Sequence, residues 1–204
     1  MNYIQIRTND SRTKSPDGSD AGTKEISMSA KRIVIIGGTA AGPKAASRAK
    51  RIDEKAEVTL LQKAPELSMA SCGYPYYVAG DFKEREKLLS TPAGVVRDPA
   101  FFAGAKGVAA VVATEVTAID PKAKTISWKR QATGETGHLP YDKLILTTGS
   151  VPKIPPIPGR ELTGVATLAS LADADALRAL AESGTGKKAV IVGGGLIGME
   201  TCEA

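Results

Sequence analysis

Cysteine is scarce in this chain. Only two occur in 204 residues, Cys72 and Cys202, too far apart in sequence to form a disulfide framework, so a reducing cytoplasm is the expected compartment. Long apolar runs are missing. No stretch approaches the roughly 20 residues that span a bilayer, and no basic segment followed by an apolar one opens the chain, so neither a secretory signal nor a membrane partner is expected. Aromatic residues make up 4%, and the lysines and arginines are scattered, which argues against a nucleic-acid partner. Histidine occurs once, at His138, on a segment that reads as a surface strand. It is no candidate for acid–base work, and no metal site is expected.

What remains is the composition of a soluble globular protein, with 42% hydrophobic and 24% charged residues. The formal charge of +5 suits polyanionic ligands such as dinucleotides. It equally suits a chain whose remainder carries compensating acids, so charge decides nothing.

Residues 1–30 are polar, lack periodicity and are expected to be disordered, with Met28 an alternative start. From Lys31 the pattern is α/β. A strand over 31–36 leads into Gly37-Gly-Thr-Ala-Ala-Gly42, then an Ala-rich helix over 41–52 and a second strand over 57–62. A loop opening a short helix is expected at 68–78, with irregular connections and short helices over 80–106. Strands at 109–119, 124–129 and 136–139 read as an antiparallel meander, followed by a buried strand at 143–146. The prolines at 152, 155, 156 and 158 form a stiff linker. Beyond it a helix over 173–183 and a strand over 188–192 precede a second glycine loop, and the sequence ends soon after, at Ala204.

Glycine loops between strand and helix bind dinucleotides for a physical reason. Without side chains the backbone approaches the pyrophosphate, and the helix start offers unpaired N–H groups. The second loop has glycine at all three positions, Gly193, Gly195 and Gly198, whereas the first has Gly37 and Gly42 with Thr39 between. The acidic residue expected at the end of the second strand, where it would bind ribose, is replaced by Gln62. Between the loops lies Cys72. Pro75 is tolerated only in a first helical turn, which puts the cysteine just before or at a helix start, where a thiolate is favoured. Cys202, on the helix after the second loop, reads as a packing residue.

Together these pieces resemble the pyridine nucleotide–disulfide oxidoreductase superfamily over residues 31–204. Ser68-Met-Ala-Ser-Cys-Gly-Tyr-Pro-Tyr-Tyr77 is similar to the redox-cysteine segment of its single-cysteine branch. That branch holds coenzyme A disulfide reductases, coenzyme A persulfide reductases, and NADH oxidases and peroxidases. Tyr141-Asp-Lys-Leu-Ile-Leu-Thr-Thr-Gly-Ser-Val-Pro152 resembles the strand and turn that pass the flavin, with Thr147 in place of the usual alanine.

The resemblance implies a Rossmann-like three-layer α/β fold for FAD and NAD(P), with an antiparallel β-meander, cut off at the start of the second nucleotide-binding domain. Residues 31–150 would be the first part of the FAD domain, and 151–204 the linker and start of the NAD(P) domain. FAD would be held by Gly37, Gly38, Thr39, Ala40, Ala41, Gly42, Gln62, Lys63, Val116, Thr147, Thr148 and Gly149, and NADH or NADPH by Gly193, Gly195 and Gly198. Cys72 would be the redox thiol. Dithiol relatives carry a second cysteine where Tyr77 stands, so Cys72 would alternate with a mixed disulfide, a persulfide or a sulfenic acid. Arg48, Arg51, Ser68 and Ser71 fall where coenzyme A reductases contact their substrate. The expected activity is NAD(P)H-linked reduction of a coenzyme A disulfide or persulfide by a homodimer. An NADH oxidase or peroxidase, and a non-catalytic flavin-binding fragment, stand as alternatives.

Overall fold

The computed structural model describes residues 30–185 and 188–204; the expected disorder of the first residues falls outside them. β1 (Arg32–Ile36) is a run of branched apolar residues that is buried on both faces, as a central parallel strand must be. It pairs in parallel with β2 (Glu57–Leu61) and with β7 (Lys143–Leu146), and β2 pairs with β3 (Ala109–Val111), giving the order β3-β2-β1-β7. Between β1 and β2 runs α1 (Ala41–Ile52), with Gly42, Pro43 and Ala46 buried. Pro43 sits in the first turn, where its missing N–H costs nothing. Lys50 and Arg51 lie in the last turn, the favourable end of the dipole for cations.

Alternation along β1 divides the core. Ile35 faces Val58, Leu60, Ala46 of α1 and Phe102 of α3 (Pro99–Lys106). Val34 and Ile36 face the other way, with Leu61, Ile126 and Tyr141. Ile126 belongs to the antiparallel meander of β4 (Thr114–Asp120), β5 (Thr125–Arg130) and β6 (Thr136–Pro140). Helices, parallel sheet and meander are thus the three expected layers. His138 is exposed on β6, beside the Ser127 hydroxyl at 3.1 Å.

Three expectations about the elements need correction. The strand read over 109–119 is two strands in different sheets. Ala113 adopts φ +49°, its N–H bonds the Ala64 carbonyl, and Thr114 N–H bonds the Gln62 carbonyl, so the chain swings out of the parallel sheet there. The segment 188–192 forms no strand. No neighbouring strand among the described residues pairs with it, and Val190 and Val192 are 89% and 78% exposed; an extended segment with unmatched N–H and C=O groups gains nothing from sheet geometry. The later helix starts earlier than expected: α4 (Leu171–Glu182) is entered through a reciprocal Ser170–Asp173 capping box.

Arg32 and Asp142 tie the starts of β1 and β7. The Arg32 guanidinium, and after it the Arg32 backbone N–H, donate to the Asp142 carboxylate at 3.0 and 2.8 Å and hold its pKa down to about 2 from 3.8. A depressed carboxylate stabilises the fold above its unfolded value and stops doing so as pH falls through the folded one. The urea midpoint of Asp142→Asn should therefore lie below that of the parent at neutral pH. The gap should close as pH falls from the unfolded value near 3.8 towards about 2. A gap independent of pH would assign the effect to shape alone.

Candidate functional site

Four parallel strands deliver their C-terminal ends to one edge of the sheet, where an open α/β sheet binds ligands. The β1–α1 loop, Gly37–Gly42, occupies the middle. Gly37 has φ +107°, a conformation that favours glycine, and a Cβ there would overlap the Thr147 carbonyl. A Cβ on Gly42 would overlap the Gly37 carbonyl and lie 2.8 Å from Thr147 Oγ1. Thr147, just after β7, donates its hydroxyl towards the Ile36 and Gly37 carbonyls at 2.9 and 2.8 Å, and its N–H bonds Ile36 at 2.8 Å. Threonine in place of alanine thus adds a stitch between β7 and the loop.

Gln62 is buried, and its Oε1 accepts the Gly38 N–H at 2.8 Å. In this arrangement the side chain braces the glycine loop. Lys63 is exposed and pairs with Glu115 at 2.9 Å. Val116 is half-buried against the core beneath the meander, and Thr148 and Gly149 are exposed beyond β7.

The start of α1 fits a phosphate group. Its N-terminus has no side-chain cap and no acidic residue in the first turn, so its N–H groups are left for an anion. α3 and α4 differ, being capped by Asp98 and Ser170. The second loop repeats the pattern ahead of α5 (Leu196–Glu203). Gly193 has φ +117°, a Cβ on Gly198 would overlap the Gly193 carbonyl, and the helix is entered through Gly195 without side-chain cap or early acid. The loop-to-helix turn therefore closes locally even though the segment before it forms no strand.

The cysteine segment leaves this same edge. Ser68 N–H donates to the Gly38 carbonyl at 2.8 Å, so the Gly38 peptide is held by Gln62 on one side and by Ser68 on the other. Ser68 adopts φ +53°, a sparsely populated conformation for a residue with a Cβ. Four residues on, Cys72 is exposed in a 3-10 turn, Ser71–Gly73, that feeds α2 (Tyr74–Ala79) with Pro75 in its first turn. The turn is backed by Leu88, whose carbonyl accepts the Ala70 N–H at 2.8 Å and whose side chain leaves no room for a Cβ on Gly73. Behind it Tyr74 and Tyr77 are buried, and burial first, then nearby carboxylates, pushes both phenols above their ordinary pKa.

Arg48 and Arg51 are exposed on α1, and among the described residues neither has a carboxylate partner. Ser71 is exposed and Ser68 half-buried. Cys202 is exposed on α5, not packed as expected, because the segment before it forms no strand and leaves no sheet for the helix to cover. Among the described residues no cluster of metal-binding side chains occurs, and no helix is long and apolar enough to cross a membrane.

Sequence reasoning missed Arg85, Asp175, Glu66 and Arg178, which fasten the cysteine segment to α4. A signal was present. Leu171, Ala174 and Arg178 fall on one buried helical face, where an arginine is anomalous.

Strand, glycine loop, helix and parallel strand, with an uncapped helix start at the sheet edge, define a dinucleotide-binding α/β protein. Residues 31–204 match the pyridine nucleotide-disulphide oxidoreductase family, and the chain belongs to it. It is 31% identical over 173 residues to a coenzyme A disulfide reductase of Staphylococcus haemolyticus, covering 85% of this chain and 37% of that protein. It is 33% identical over 178 residues to an NADH oxidase of Enterococcus faecalis, with 85% and 37% covered. The structure of an NAD-dependent persulfide reductase from A. fulgidus superposes with a TM-score of 0.78 at 40% identity, covering 83% of this chain and 31% of that one. The chain thus spans a little over a third of the length of these curated relatives.

Proposed function

We propose that this chain forms part of an FAD-dependent, NAD(P)H-linked reductase that acts on a coenzyme A disulfide or persulfide through Cys72. The observation that carries this reading is the Gly38–Ser68 hydrogen bond, which joins the nucleotide loop to a segment presenting an exposed, unbridged cysteine. Residues 31–150 supply the first part of the flavin domain, and residues 151–204 the linker and start of the pyridine-nucleotide domain.

The backbone of Gly37–Gly42 and the start of α1 would hold the FAD pyrophosphate, with Thr147–Gly149 alongside; Gly193–Gly198 and α5 would do the same for NADH or NADPH. When bound, the flavin supplies the electron pair that returns Cys72 from its oxidised form to the thiolate. The chain's own part is nucleophilic. The Cys72 thiolate attacks one sulfur of the disulfide, a new S–S bond forms to Cys72, the old one breaks, and one coenzyme A thiolate leaves.

The relationship to an NADH oxidase keeps a second reading in play, in which Cys72 cycles through a sulfenic acid. Arg48 and Arg51 separate the two. They lie at i and i+3 on α1, free to meet one anionic group. If they hold coenzyme A phosphates, replacing both with alanine should raise KM for coenzyme A substrates tenfold or more, since well-formed charged hydrogen bonds to phosphate contribute about 1.5–3 kcal/mol each. Small disulfides without phosphate should be reduced as before. Unchanged kinetics on coenzyme A disulfide would shift the reading to the oxidase.

A further inference from the structure

We propose that Arg178 and the Arg85–Asp175 pair are positioning residues for Cys72, clamping the cysteine segment onto α4. The proposal rests on Cys72 being the redox thiol. α2 has six residues, too few to hold its own shape in water, so the geometry of the turn before it must come from elsewhere. It comes from α4. Arg178, 8% exposed, donates from Nη1 to the Tyr77 carbonyl at 2.8 Å and the Phe82 carbonyl at 2.6 Å. Its guanidinium lies 4.6 Å from the centre of the Tyr77 ring, and its Nε pairs with Glu182 at 2.8 Å. One buried side chain thereby satisfies two carbonyls around the end of α2.

A second fastening lies one turn earlier on α4. Arg85 Nε donates to the Asp175 carboxylate of α4 at 2.9 Å, and its Nη2 donates to Glu66 at 2.6 Å. Glu66 lies just ahead of Ser68, whose N–H reaches the glycine loop. Met69, Tyr74, Tyr77 and Leu88 of the segment pack with Leu171 and Ala174 of α4 beside the two fastenings. Downstream of Cys72 the chain is therefore tied directly to α4 through Tyr77, Phe82 and Arg85, and upstream of it Glu66 is tied to α4 through Arg85. A thiol that must meet a disulfide and an electron donor in turn gains rate from such fixed placement, and small misplacements are costly.

The test uses Asp175→Asn and Arg178→Met in the full encoded protein loaded with FAD. Neither residue touches the glycine loop, so bound FAD per chain should be unchanged. The rate of Cys72 alkylation by iodoacetamide, followed from about pH 5 to about pH 9, should take a different profile. kcat for coenzyme A disulfide should fall tenfold to about a hundredfold with KM for NAD(P)H unmoved, and Asp175→Glu should recover most of the loss. If Arg178→Met fails to retain FAD, the half-exposed Asp175→Asn decides. A lowered melting temperature with an unmoved alkylation profile and unchanged kcat would overturn the proposal, leaving the clamp only structural. Full activity in Cys72→Ser would instead overturn the redox reading beneath it.

Discussion

Replacing Gly42 by valine is expected to empty the flavin site. A Cβ at this position would overlap the Gly37 carbonyl at the start of the loop and press on Thr147 Oγ1, which holds the loop to β7. No flexible side chain is available to move aside for the carbonyl. Either the start of α1 shifts away from the sheet or the loop changes shape, and in both cases the N–H groups proposed to hold the pyrophosphate lose their alignment. A distortion of only about 1.4 kcal/mol already means a tenfold weaker complex, and a backbone overlap costs more than that. FAD absorbance per folded chain should fall at least tenfold. Gly104 supplies the control. It lies within α3, and a Cβ added there would meet open space, so Gly104→Ala should keep its flavin and gain slightly in helix stability.

Cys72→Ser is expected to remove disulfide and persulfide reduction to the uncatalysed level while leaving flavin bound. Serine fits the exposed turn, so the fold should be indifferent. Its hydroxyl, however, is not appreciably ionised near neutral pH and forms no exchangeable bond to sulfur, so the first covalent step is lost. NAD(P)H should still bleach the flavin, because that exchange needs no thiol. Cys202→Ser should retain full activity although that residue is also exposed.

The parts of the fold that were legible in the sequence are those fixed by local chemistry. β1, the glycine loop and α1 follow from a branched apolar run, glycines at the tight contacts and an Ala-rich helical face, and each lies within a residue of its expected bounds. The break at Ala113 was not legible, since residues on both sides favour strand and only tertiary hydrogen bonds to Ala64 and Gln62 divide them between two sheets. The segment 188–192 has strand composition, but a parallel strand exists only through its neighbours. At the site, loops and cysteine could be read from residue type, whereas the use of Gln62 as a brace depends on where Gly38 comes to lie. Arg178 was readable in principle from its place on the buried face of α4. What it holds, two carbonyls roughly a hundred residues away in sequence, was not.

The central claim is that Cys72 alone exchanges with a coenzyme A disulfide, and mass mapping of the covalent adduct tests it most directly. The full encoded protein, reduced and then exposed to coenzyme A disulfide without NAD(P)H, should gain one coenzyme A group per chain. After proteolysis that group should be found on the peptide containing Cys72, be removed by dithiothreitol and be absent from Cys72→Ser. An adduct confined to Cys202, or no adduct while NAD(P)H and oxygen still turn over, would contradict the account.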